Sequence, residues 1–97
     1  MNTITAGNWS GILNGGLAPR ELEATLYAAA DLTAKEIARL MGVAPGTVSK
    51  RLDNARFKLG VRSIRGLVVE AFQRGLIWSC LPSPKQPGSD ADEVFLA

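Results

Sequence analysis

The chain has 97 residues, a net charge of +2, one cysteine (Cys80) and no histidine. That length fits one small domain with tails. The residue inventory excludes an intrachain disulfide, a cysteine-based metal centre and Ser-His-Asp or Cys-His catalysis, so no cofactor, metal or enzymatic activity is expected. No apolar run reaches the roughly 18 residues of a membrane span. Residues 1–16 also lack the basic start and apolar block of a secretory signal, so a cytoplasmic protein with no membrane partner is expected.

Residues 1–17 read as a flexible leader, with Thr3, Thr5, Asn8 and the glycines Gly7, Gly11, Gly15 and Gly16. Trp9, Ile12 and Leu13 interrupt it at helical spacing and offer cover for an edge of the domain that follows, residues 18–78. A first helix is predicted from Pro19 to Ala30, with Leu22, Leu26 and Ala29 in one stripe and Tyr27 and Ala30 broadening it. Asp31 tolerates the left-handed conformation and ends it. Thr33 and Glu36 form a T-x-x-E capping box for a second helix, Ala34 to Met41, whose apolar face is Ile37, Ala38 and Met41. Gly42 stands where a left-handed helix end is wanted, and Pro45 opens a third helix, to Leu59, where its missing N–H costs nothing. Val48, Leu52, Ala55 and Leu59 are the buried stripe of that helix, and Gly60 ends it. Ser63 caps a fourth helix, Ile64 to Arg74, closed by Gly75. From residue 79, Pro82, Pro84, Pro87 and Gly88 argue for a disordered tail to residue 97. The expected fold class is therefore all-α, four helices between a flexible leader and a disordered tail.

Charge is unevenly placed. Between Pro45 and Arg65 stand Lys50, Arg51, Arg56, Lys58, Arg62 and Arg65 against Asp53 alone, whereas the segment from Ser79 has Lys85 against Asp90, Asp92 and Glu93. Helix, glycine-containing turn and basic second helix make a DNA-binding helix-turn-helix pattern, so double-stranded DNA is the expected partner. Stepping about 100° per residue from Val48 points Lys50, Asn54, Asp53, Gly46 and Phe57 away from the core and leaves Thr47 and Ser49 on the flanks. Lys50 suits guanine O6 and N7, Asn54 suits adenine, and Asp53 suits cytosine N4 while repelling phosphate. Thr33 and Gly46, at helix starts, suit backbone phosphates. Glu21 and Glu36 read as structural, capping a helix or pairing with a nearby Arg, Arg51 among them.

The run LAPRELE…LTAKEIARLMGVAPGTVSKRL…KLGVRS resembles the LuxR-type (GerE or FixJ-type) helix-turn-helix of bacterial transcription regulators over about residues 17–78. Its P-R-E, K-E-I-A, G-x-x-x-G-T-V and K-L-G-V-R-S motifs occur in order. The resemblance implies a four-helix unit whose third helix enters the major groove and whose fourth supports dimerisation. It places base reading on Ser49, Lys50 and Asp53, and backbone contacts on Lys35, Thr47, Lys58 and Arg62.

Helix 4 is apolar on more than one side, so Ile64, Val68, Val69 and Phe72 are expected to meet a symmetry mate in a homodimer or, failing that, the Trp9 leader. Departures from the family pattern are Ala18 and Ala44 in place of capping Ser or Thr, Gly66 in place of an acidic residue, Asp31 for Gly, and Phe57 for a basic residue. Each lost cap costs about 1 kcal/mol, so a marginal monomer is expected. Phe57 is left between packing on the leader and packing on a partner. The implied function is a sequence-specific dimeric transcription regulator without a sensor domain, the segment ahead of the motif being only about 17 residues. The alternative is a modulator that binds and blocks a second protein regulator, through helix 4, Phe57 or the acidic-then-apolar DADEVFLA tail.

Overall fold

The computed structural model describes residues 2–80. The element order is β1 (Thr3–Ala6), β2 (Trp9–Ile12), α1 (Pro19–Ala29), α2 (Ala34–Met41), α3 (Pro45–Leu59), α4 (Ile64–Gln73) and β3 (Ile77–Ser79). The four helices fall where expected, within a residue at the ends of α1 and α4. The all-α expectation is corrected, because the three strands form one antiparallel sheet in the order β1-β2-β3. The leader is a hairpin, and Ser79, assigned to the tail, ends β3. The rest of the expected tail, 81–97 with its acidic end, lies outside the described residues.

The hairpin follows from local chemistry. Ala6 pairs with Trp9 across a two-residue turn, Gly7-Asn8, in which Gly7 takes φ +61°. Glycine first in a two-residue turn with positive φ is the type II′ solution, whose twist suits antiparallel strands. The sheet then alternates. Ile4, Ala6, Trp9, Gly11 and Ile77 share the face toward the helices, while Thr5, Ser10 and Trp78 share the other. On that second face the Ser10 hydroxyl hydrogen-bonds with Thr5 at 3.0 Å. At Gly11 a Cβ would lie 2.7 Å from Leu22 Cδ1 and 3.1 Å from the Leu76 carbonyl oxygen, so β2 crosses α1 at a spacing where any side chain would force Leu22 to shift.

α1 packs against β1 and β2 on one side and α2, α3 and α4 on the others. It accordingly buries Leu22, Ala24 and Leu26 at 0% exposure, on more than one side of the helix and not along one stripe. Thr25, also buried, donates its hydroxyl to the Glu21 carbonyl at 2.8 Å, so no polar atom is stranded there. Ile37, Val48, Ala55, Leu67, Ala71 and Ile77 complete the fully enclosed core.

The caps explain the helix ends. Neither Ala18 nor Ala44 supplies a side-chain cap, as expected. At Ala18 the loss is offset by Glu21, whose Oε1 accepts the Ala18 N–H at 2.9 Å. Thr33 and Glu36 form the reciprocal box, Thr33 N–H donating to Glu36 Oε1 at 2.8 Å and Glu36 N–H to Thr33 Oγ1 at 3.2 Å. Gly42 and Gly60 end α2 and α3 in the left-handed region, at φ +72° and +74°. Ser63 Oγ accepts the Gly66 N–H at 2.9 Å, the half of its capping box that survives without an acidic residue at 66. Two arginines close helix ends from a distance: Arg20 donates to the Met41 carbonyl at 3.3 Å and Arg74 to the Leu59 carbonyl at 3.2 Å.

Candidate nucleic-acid interface

α2, the Gly42 turn and α3 form a helix-turn-helix whose inner surface is sealed by Ile37, Ala38, Met41, Val48, Leu52, Ala55 and Leu59, none more than 7% exposed. Sealing that stripe fixes the rotation of α3, and the remaining positions face outward as the 100° steps require. Ser49, Lys50, Asp53 and Asn54 are exposed, as are Thr33, Lys35, Gly46 and Arg62, while Thr47 is half-buried on the flank. Each candidate base-reading residue is thus accessible, and so are the candidate phosphate contacts, Thr47 only in part.

Two of the six cations between residues 45 and 65 are tied down inside the domain. Lys58, expected to meet phosphate, instead donates its ammonium to Glu21 Oε1 at 2.8 Å. Distance along the sequence hid this pair, and the Glu21 partner is Lys58 and not the anticipated Arg51, which acts only through its charge. Burial pushes the Glu21 carboxyl up. The Lys58 hydrogen bond, the Ala18 N–H and the charges of Lys58 and Arg51 together outweigh burial and hold it below its ordinary value. Glu36 is also lowered, by the backbone N–H of Thr33, its hydroxyl and the charge of Arg39.

Arg56 is the second engaged cation. It pairs with Asp53 one turn back and donates to the Arg62 carbonyl, so it clamps the α3–α4 turn to α3. Its Nε is buried without a partner. An acid three residues before an arginine is a helical pairing signal; the sequence reading missed it by giving Asp53 to a base contact, and the Arg62 carbonyl contact has no sequence signal. Asp53 remains exposed but carries a cationic neighbour, which moderates its repulsion of phosphate. Ser49, Asp53 and Arg56 line a cleft of about 310 Å³ floored by Ile37, Leu52 and Ile64. Lys35, Lys50, Arg62 and Arg65 make no ion pair among the described residues, and so keep their charge for an external anion.

On α4, Leu67 and Ala71 are buried against the domain, whereas Ile64, Val69 and Phe72 are 38%, 47% and 56% exposed. Val68 is half-buried between them. Trp9 of β2 meets the Phe72 ring edge-on at 6.5 Å between centroids, so the leader covers one side of that residue. The remainder of the α4 stripe stays open.

The exposed face of α3 presents the Lys50 ammonium, the Asn54 amide and the Ser49 hydroxyl, and among the described residues there is no cluster of potential metal ligands and no helix long and apolar enough to cross a membrane. In a comparison with protein families, the model described as "Bacterial regulatory proteins, luxR family" matches residues 16–71. That span takes in α1, α2 and α3 whole and most of α4. The hairpin and β3 lie outside it.

Proposed function

The chain belongs to the luxR family of bacterial regulatory proteins, and from that premise we propose that it is a sequence-specific regulator of transcription that reads double-stranded DNA as a cytoplasmic homodimer. The observation that carries the reading is the outer face of α3, where Ser49, Lys50, Asp53 and Asn54 stand exposed opposite a sealed apolar stripe. In the major groove Lys50 donates to guanine, Asn54 pairs with adenine, and Ser49 and Asp53 complete the base contacts. Lys35 and Arg62, with Thr33, Gly46 and Thr47 at helix starts, hold the phosphates and set the register. Lys58 contributes less, because Glu21 already holds it.

One recognition helix reads few base pairs, and a two-fold pair reads two half-sites. The exposed Ile64, Val69 and Phe72 give α4 the apolar surface such a pair needs.

The test is selection of a random duplex library on the purified protein at two salt concentrations. The expected result is a two-fold-related motif whose recovery falls steeply as salt rises, because phosphate contacts release counterions. Lys50→Ala then relaxes one position of each half-site by about 1–3 kcal/mol while leaving the melting temperature in place. Absence of any motif at either salt would favour the alternative, a modulator whose exposed α4 face binds another regulator.

A further inference from the structure

Phe57 is 86% exposed, more than any other large hydrophobic residue among those described. It sits on α3 seven residues after Lys50 and three after Asn54. At about 100° per residue, Lys50, Asn54 and Phe57 fall within about 60° of one another, as one stripe along the outer face of the helix. That is the face opposite Val48, Leu52, Ala55 and Leu59, all buried. An apolar side chain therefore continues the line of the candidate base-reading residues, and nothing in the domain covers it.

The chemistry of the ring narrows what it meets. A phenyl group has no hydrogen-bond donor or acceptor, so it takes nothing from guanine, cytosine or adenine edges. The one apolar feature in the major groove is the C5-methyl of thymine. A protein partner is less well matched. The other exposed large apolar residues are Leu40, Ile64, Val69, Phe72 and Trp78, on α2, α4 and β3. On α3 the outward neighbours of Phe57 are polar, whereas the centre of a protein interface is an apolar patch.

We propose that Phe57 is a specificity-determining residue of the DNA interface, packing its ring on a thymine methyl in the major groove. The inference rests on the reading of α3 as a base-reading helix and adds a base to it. Seven residues of helix rise about 10.5 Å, which at about 3.4 Å per step is about three base pairs. The thymine accordingly lies about three steps from the base that Lys50 reads.

The experiment compares two operator duplexes that differ by one methyl group, thymidine against deoxyuridine at that position, in a binding titration at fixed salt. Wild-type protein is expected to bind the deoxyuridine duplex about fourfold more weakly, the equivalent of one methyl group left in water. Phe57→Ala, a change at a solvent-exposed site that keeps the melting temperature, is expected to bind both duplexes alike. Equal binding of the two duplexes by wild-type protein would overturn the thymine contact, as would a selected motif with no thymine near that step. In both cases DNA reading by the other residues stands. A lowered sedimentation mass of Phe57→Ala with the methyl preference unchanged would place the ring in a protein interface and also overturn it. Failure of the library to yield any motif removes the base-reading helix itself, and the thymine contact falls with it.

Discussion

The helix-turn-helix and the three-stranded sheet are held together by different kinds of contact, and both pack on α1. α2 and α3 are fixed by signals a few residues apart: the Thr33–Glu36 box, Gly42 in the left-handed region, Pro45 at the next start. The sheet joins the two ends of the described chain, pairing Trp9 with Ser79 and Gly11 with Ile77. The first region offers an exposed polar face to a ligand. The second closes the back of α1 and covers part of Phe72. On the proposed reading, recognition and stability fall on separate surfaces, and a substitution in one is expected to leave the other largely intact.

The largest effect that tests this division is on the sheet side. Ile77 is 1% exposed on the inner face of β3. Ile77→Ala is expected to lose about 2–5 kcal/mol, the transfer term plus a cavity. Urea unfolding would measure it, and the folded fraction should bind operator DNA as wild type does. A loss below about 1 kcal/mol would mean that the sheet lies outside the cooperative core of the domain.

Legibility in the sequence divides the same way. The helices could be placed to within a residue because caps, terminators and the Val48–Leu52–Ala55–Leu59 stripe are all local. The hairpin carried a local signal as well, T-I-T-A and W-S-G-I around Gly7-Asn8, which is a two-residue turn between short alternating strands. Four glycines among residues 1–17 masked it, because glycine density reads as flexibility. Gly11 serves the opposite purpose, as the place where a strand passes close over Leu22. β3 was beyond reach, since I-W-S has no pattern of its own until the hairpin supplies an edge. At the interface, the exposed residues of α3 followed from the helix period, while the capture of Lys58 by Glu21 depends on how α1 and α3 pack and not on any spacing. Loss of the Ala18 cap suggested a marginal monomer. The Glu21 carboxylate and the sheet are two sources of stability that this suggestion left out.

α4 is where the two surfaces meet, and the next effect decides which of them its outer face belongs to. Val69→Glu combined with Phe72→Glu is expected to give a monomer by sedimentation and to weaken operator binding on the order of 100-fold, as the second half-site is lost. Should the mass stay unchanged while the melting temperature falls, the outer face of α4 would serve the Trp9 contact and thus the sheet. The two readouts separate because Trp9 touches Phe72 within one chain, at 6.5 Å, whereas Val69 stands 47% exposed.

The smallest effect concerns the one side chain that links the start of α1 to the far end of the recognition helix. Glu21 Oε1 accepts both the Ala18 N–H and the Lys58 ammonium, at 2.9 Å and 2.8 Å. Its carboxyl titrates lower folded than its ordinary value of 4.5. A group with a depressed folded value contributes stability that is present in full above the unfolded value and is lost as pH falls through the folded one. The Glu21 contribution is therefore intact at neutral pH and disappears below about pH 4.5, starting from the unfolded value. Glu21→Gln keeps an acceptor for the Ala18 N–H but loses the charge. It is expected to cost under about 1 kcal/mol at pH 7, since Lys58 stays partly in water. It should also flatten the acid side of the stability profile measured by urea unfolding between pH 3 and pH 7. Freed from its partner, Lys58 becomes available to phosphate, so the same variant should bind operator DNA with a slightly steeper salt dependence, by up to about one counterion. An unchanged slope would show that Lys58 stays clear of the DNA even when released, and that the phosphate contacts come from the other candidate residues alone.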